Sequence, residues 1–180
     1  QKLNITPVLD KLADEGCKFE RAFSCQPVCG PVRACVQTGI YATESGCFVN
    51  GIPLHNRPNR SIADYLNGEG YQTAYIGKWH LASQVNEEEY VYEPVPPHAR
   101  GGYQYWRAAD LLEFTSTGFG GYIFDNDMNK LEFDGFRADR ITDHAVGYLK
   151  NVDDSKPFYM MVSYLEPHQQ NELKIVQGPV

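Results

Sequence analysis

The chain has 180 residues, 42% hydrophobic and 22% charged, which suits one domain with a buried core or part of a larger domain. The formal net charge is −7 and no basic run is present, which argues against a nucleic-acid partner, because neutralising phosphates needs clustered Lys and Arg. No apolar stretch is long enough to span a bilayer and none reads as a signal peptide, so no membrane partner is expected and the compartment stays open.

In chain order, Thr6 to Glu15 reads as a helix. Thr6 can cap it, Pro7 suits its first turn, Gly16 lies where the chain would leave it, and Val8, Leu9, Leu12 and Ala13 form its apolar face. Cys17, Phe19, Arg21 and Phe23 then alternate with Lys18, Glu20 and Ala22, the pattern of a short strand. A loop from Gln26 runs into a second helix that starts near Pro31 and stops at Gly39. Ser61, with Asp64 three residues on, signals a further helix ending at Gly68 and Gly70, and Tyr71 to Ile76 has the composition of a strand.

Residues from about 84 to 134 differ in character. Glu87 to Glu89, Pro94, Pro96, Pro97 and five glycines mark a decorated excursion, with a hairpin of Tyr122–Phe124 and Leu131–Phe133 turning at Asp125–Asn129. The core, predicted over 1–83, resumes over 135–180. Ile141, Ala145, Tyr148 and Leu149 form a helical stripe, and Phe158 to Tyr164 is a near-continuous apolar strand. Helices alternating with short buried strands predict an α/β domain with a mostly parallel sheet flanked by helices.

Five cysteines are present: Cys17, Cys25, Cys29, Cys35 and Cys47. An odd count fits poorly with a complete internal disulfide framework, and the spacings match no common zinc pattern. Most free cysteines are small buried hydrophobes, and burial is the commoner reading even for a cysteine at a helix start.

In α/β sheets, ligand sites gather at the carboxyl ends of strands. Three features fall at such places: the loop around Cys29, Gly77-Lys78-Trp79-His80, and Glu166-Pro167-His168. A helix start near Cys29 favours an anion or a polarised nucleophile, and Arg33 one turn on adds charge-assisted hydrogen bonds. In extended backbone Lys78 and His80 would share one face, pairing a cation for an anionic group with an imidazole for proton transfer. Taken singly, each of these has an ordinary structural explanation.

Together they resemble a known family. Cys29-Gly30-Pro31-Val32-Arg33 with Thr38-Gly39 is similar to the signature of formylglycine-dependent sulfatases, in the alkaline-phosphatase-like superfamily. Gly77-Lys78-Trp79-His80-Leu81 resembles their second signature, Thr6-Pro7-Val8-Leu9-Asp10 their first helix, and Pro157-Phe158 through His168 a later strand and histidine loop. The resemblance implies hydrolysis of sulfate esters. Cys29 would be oxidised by a formylglycine-generating enzyme to an aldehyde whose hydrate attacks sulfur, and a second hydroxyl would then release the sulfate. By the same resemblance Arg33 would stabilise the diol, Lys78 would bridge diol and sulfate, and His80 would assist deprotonation. His168 would protonate the leaving oxygen.

The resemblance also implies a divalent cation, usually calcium, that the matured Cys29 would help to hold. The paired aspartates that the family carries ahead of its first helix, its later Asp-Asn or Asp-His ligands and its second lysine are not among these 180 residues. The expectation is therefore an N-terminal piece of the catalytic domain, weak at metal binding and inactive alone. Asp125-Asn126 is rejected as a ligand pair because it sits in the predicted hairpin. Val32 stands where serine or alanine is commoner, which bears on maturation.

Tyr90, Tyr92, Tyr103, Tyr105, Trp106 and Tyr122 in the excursion could stack on sugar rings, so a sulfated carbohydrate is the expected substrate, although packing is the commoner use of such residues. Two alternatives stay open. One is a phosphate- or phosphonate-ester hydrolase of the same superfamily. The other is a non-catalytic zinc or thiol module built on Cys25, Cys29, Cys35 and Cys47.

Overall fold

A computed structural model describes residues 5–56, 60–84 and 90–168. Helix α1, Pro7–Glu15, forms as predicted, with Pro7 in its first turn and the Thr6 hydroxyl reaching Asp10 Oδ1 at 3.3 Å. None of its residues is buried, and Val8, Leu9 and Leu12 stay exposed. The short strand expected over 17–23 does not form, and Phe19 and Phe23 are exposed. Alternation alone does not hold a strand, because its backbone groups need a neighbouring ladder and no described strand pairs with this segment.

Helix α2, Cys29–Thr38, turns Gly30, Pro31, Ala34 and Gln37 inward and ends at Gly39, whose positive φ of 73° lets its N–H close back on Cys35 O at 2.8 Å. The short helix α3, Ala42–Ser45, follows. Helix α4, Ile62–Gly68, begins with the expected reciprocal cap: Ser61 Oγ accepts from Asp64 N at 3.1 Å, and Asp64 Oδ2 accepts from Ser61 N at 2.9 Å. Strand β1, Gln72–Lys78, is buried along nearly its whole length.

The rest of the chain adds β2 (Tyr105–Ala109), α5 (Leu112–Thr115), β3 (Ser116–Thr117), β4 (Phe119–Phe124), β5 (Lys130–Phe136), α6 (Arg137–Asn151) and β6 (Phe158–Ser163). They build one six-stranded sheet in the order β3-β4-β2-β1-β6, with β5 paired to β4 as the predicted hairpin. The sheet is mixed. β1 runs parallel to both β2 and β6, whereas β4 is antiparallel to β2, β3 and β5. The parallel portion is thus three strands wide, and the hairpin extends it sideways.

The stretch expected to be peripheral contributes β2 to the parallel core, and this changes the role of its aromatics. Trp106 is fully buried and Tyr103 nearly so. Both pack with Tyr75 and Trp79, at ring-centroid distances of 5.1 to 6.1 Å. Tyr105 packs on Tyr148 of α6 at 4.8 Å. These three rings are structural and unavailable to a sugar; burial of so much aromatic surface outweighed the Gly- and Pro-rich character of the flanking sequence. Tyr92 and Tyr122 remain at least partly exposed, and Tyr90 is half-buried.

The two faces of β1 serve two apolar layers. Tyr75 joins Ala34, Ala63, Trp79 and Trp106 on the α2/α4 side, while Ala74 and Ile76 meet Leu112, Ile123, Ile141, Ala145 and Tyr148 on the α6 side. Gly77 is required for this stacking. Its φ is +105°, and a Cβ there would come 2.1 Å from Ser163 O of the neighbouring strand. Gly77→Ala should therefore break the β1–β6 ladder at its functional end and cost about 3 kcal/mol or more, measured as a shift in urea midpoint.

Candidate active site

The carboxyl ends of β1 and β6 open beside the N-terminus of α2. There a cleft of about 330 Å³ is lined by Pro27, Val28, Cys29, Val32, Arg33, Lys78, Leu165 and His168. Cys29 and Arg33 of α2, Lys78 and His168, from three widely separated segments, thus share one cavity. Cys29 is the first residue of α2 and is partly exposed. Its helix has no side-chain cap of its own; instead Asn50 Oδ1 accepts the Gly30 N–H at 2.8 Å.

Arg33, one turn into α2, joins the three segments. Its Nη1 donates to Lys78 O and to Ser163 Oγ, both at 2.8 Å, and the Tyr75 hydroxyl donates to the same Lys78 carbonyl at 2.6 Å. The guanidinium therefore braces the ends of β1 and β6 as well as bringing positive charge to the cleft.

Lys78 is almost completely buried, and its Nζ meets Glu113 Oε1 of α5 at 2.6 Å. Burial opposes ionisation of Glu113, but the Lys78 charge and hydrogen bond outweigh it and hold the carboxyl below its ordinary value.

Lys78 and His80 are not the simple same-face pair expected of an extended chain, because His80 takes a positive φ of 55°. The cause lies one strand over. β1 continues to bond to the end of β2 through Trp79 N to Ala109 O and His80 N to Asp110 O, at 2.9 and 2.8 Å. Asp110 then turns the chain: its fully buried carboxylate accepts the N–H groups of Leu81, Ala82 and Ser83 at 2.9 to 3.0 Å, together with the Ser83 hydroxyl. Complete burial pushes Asp110 above its ordinary pKa, and these four donors pull the other way.

His80 sits close enough to Lys78, Glu113, Arg33 and His168 to feel all four charges. Burial first, then the Lys78 charge, lower its pKa to about 3, so the ring is neutral at ordinary pH. Among the described residues its buried Nδ1 has no hydrogen-bond partner, and its carbonyl lies near the α2 start, 3.7 Å from where a Gly30 Cβ would stand. A neutral imidazole with an unpartnered ring nitrogen can accept or donate a hydrogen bond there, depending on its tautomer.

His168 closes the site from β6. Its N–H donates to Leu165 O at 2.9 Å, and its loop is pinned by Glu166, whose carboxylate receives Arg137 Nε and Nη2 at 2.9 and 2.8 Å.

The sulfatase family profile matches residues 1–175. The chain belongs to the sulfatase family. It is 32% identical over 167 residues to the N-acetylglucosamine-6-O-sulfatase of Bacteroides thetaiotaomicron, covering 91% of this chain and 26% of that protein. It is 36% identical over 166 residues to an ulvan-active sulfatase of Formosa agariphila, covering 91% of this chain and 30% of the relative. A solved structure of an enzyme in complex with its substrate, D-glucosamine-2-N,6-O-disulfate, superposes with a TM-score of 0.75 at 30% identity, over 91% of this chain and 30% of that one. The α/β architecture is therefore the alkaline-phosphatase-like fold of sulfatases, over its N-terminal part.

A sulfatase is expected to carry a divalent cation. Among the described residues no three His, Cys, Asp or Glu side chains gather as a metal-ligating set. Asp125 accepts the N–H groups of Asp127 and Asn129 at 2.9 Å within the hairpin turn. The described residues do not make an oxygen-rich calcium site. The same observation speaks against a zinc module on Cys25, Cys29, Cys35 and Cys47.

Glu113, Asp110 and Ser163 were not singled out from sequence, although a signal existed. Asp110 is an acid at the carboxyl end of an apolar strand, and Glu113 is an acid isolated in Leu111-Leu112-Glu113-Phe114. Both positions ask what a buried carboxylate would pair with.

Two outcomes follow from this geometry. Glu113→Ala strands a buried ammonium and should cost about 3 kcal/mol or more by urea unfolding, with Glu113→Gln costing less. For His80, the unfolded chain takes up a proton near pH 6.5 that the folded ring resists down to about 3. That part of the stability is whole above pH 6.5 and falls as pH drops through this window. Melting temperatures of His80→Gln should show a shallower acid slope than the parent, whereas identical slopes would place the effect on other groups.

Proposed function

We propose that the protein of which this chain is part hydrolyses sulfate esters of a carbohydrate, with Cys29, matured to formylglycine, as the nucleophilic centre. The observation that carries this reading is the shared cleft of Cys29, Arg33, Lys78 and His168; His80, its Nδ1 buried, lies outside the lining. The chain spans 26 and 30% of the length of the two relatives described above, so the activity is proposed for the whole protein. This stretch by itself is proposed to be inactive, since the ligand set for a divalent cation is not assembled from its described residues.

Formylglycine at Cys29 would supply, when hydrated, one oxygen to attack sulfur and a second hydroxyl whose deprotonation releases the sulfate. The chain's own residues do the rest. The Lys78 ammonium is fixed by Glu113 at the cleft wall, and its positive charge offsets the negative charge of a sulfate oxygen. The Arg33 guanidinium adds to the same field while bracing the two strand ends. Neutral His80 can accept a hydrogen bond from the hydrated nucleophile, and for it to hold that proton its pKa must rise from about 3 when an anionic sulfate offsets the Lys78 and Arg33 charges. His168, on the β6 side, protonates the departing sugar oxygen.

A sulfated amino sugar or polysaccharide is the favoured substrate class, supported by relatives that act on N-acetylglucosamine-6-sulfate and on ulvan and by the disulfated glucosamine bound in a related structure. The full-length protein, co-expressed with a formylglycine-generating enzyme, is the test. A mass loss of about 18 Da at Cys29 together with desulfation of 6-sulfated glucosamine is the expected result. Lys78→Ala should then lower kcat by roughly 10²–10³-fold. Sulfatase activity with an unmodified Cys29 would overturn the nucleophile. Faster cleavage of phosphate or phosphonate esters than of any sulfate ester would favour the other hydrolase reading.

A further inference from the structure

The segment that leads into α2 forms no helix or strand over residues 17–28, yet its last residues build one wall of the cleft through Pro27 and Val28. Val28 O accepts from Val32 N of α2 at 3.0 Å, and two side-chain contacts tie the segment further. The Gln26 side chain donates to Phe48 O at 3.2 Å, and the Cys25 thiol lies against the Cys35 thiol of α2, Sγ to Sγ 3.2 Å. A disulfide bond requires about 2.05 Å, so roughly 1 Å of side-chain approach separates the two states. Cys17 and Cys47 are placed differently: Cys17 is exposed on the chain before this segment, and Cys47 is fully buried.

We propose that Cys25 and Cys35 form a reversible disulfide that staples the Pro27–Val28 wall of the cleft to helix α2. The bond would enclose Cys29 in a short covalent ring without involving it, so the proposal stands whether or not Cys29 is matured.

The two thiols are suited to successive steps. Cys25 is exposed and meets an oxidant first, while Cys35 is half-buried, and that burial, then its contact with Cys25, push its thiol up to about 11. With a small-molecule disulfide such as oxidised glutathione, the Cys25 thiolate attacks one sulfur, forms a mixed disulfide and releases one glutathione thiol. Cys35 then loses its proton and attacks the Cys25 sulfur, and the second glutathione leaves as a thiol. Two protein thiols have given up two protons and two electrons, and the oxidant has taken both.

Peptide mapping of the full-length protein, treated with oxidised glutathione, alkylated and digested with trypsin without reduction, reads this directly. Cleavage after Arg21 and Arg33 places Cys25 on residues 22–33 and Cys35 on a separate peptide beginning at Ala34. The expected product is these two peptides joined with the loss of two hydrogens, fragmentation locating the link at Cys25 and Cys35. The product should vanish on reduction and in Cys25→Ser and Cys35→Ser. In Cys35→Ser, Cys25 should stop at the glutathione adduct. Hydrogen exchange over residues 24–28 should be several-fold slower in the oxidised protein. A parent protein that keeps glutathione on Cys25 with Cys35 free, or links through Cys17, Cys29 or Cys47, overturns the pair. A Cys25–Cys35 link that leaves exchange over 24–28 unchanged overturns the staple.

Discussion

The ammonium of Lys78, buried at the end of the most enclosed strand, sets the terms for everything around it. A charge removed from water is tolerated only when an opposite charge and hydrogen bonds replace the lost hydration. Glu113 is that opposite charge, carried on α5, which follows directly from the end of β2, the strand beside β1. The pair turns a flexible side chain into a fixed positive point, which a surface lysine would not be. It also explains why the chain after β2 folds back into the core before the hairpin begins.

A second buried carboxylate sets the geometry beyond Lys78. Asp110 collects three successive backbone N–H groups and so dictates the turn of residues 81–83 and the unusual backbone of His80. Together with the Arg33 brace across Lys78 and Ser163, this makes the cleft a rigid corner of the sheet. The wall on the α2 side is different in kind. It is an irregular segment whose ordering depends on a glutamine contact and a pair of thiols. Fixed charge on one side and an irregular wall on the other would suit the sulfated sugar proposed as substrate.

Much of this was legible beforehand, and for local reasons. The Ser61–Asp64 cap, the Gly39 stop, the hairpin around Asp125–Asn129 and the apolar run of β6 are decided by residues within a few positions of one another. Cys29, Arg33, Lys78 and His168, which line one cleft, stood out as candidates because they lie near a helix start or beyond strand ends, and such places converge in an α/β sheet. The expected strand over 17–23 failed because a strand is a relation between two segments, and alternation in one of them does not supply the other. The aromatics of the excursion were misjudged for the same reason: Trp106 and Tyr103 look like ligand-facing rings until β2 is seen beside β1.

The amino-acid order by itself determined most of the elements outside the 84–134 stretch, the family signatures and which side chains could do chemistry, since these rest on local propensity and residue type. Tertiary structure alone decided which carboxylates neutralise and shape the site, that His80 is neutral with an open ring nitrogen, and that Cys25 meets Cys35. Burial, charge compensation and sulfur contact depend on distances between segments tens of residues apart or on the turn of a helix. No periodicity encodes those distances.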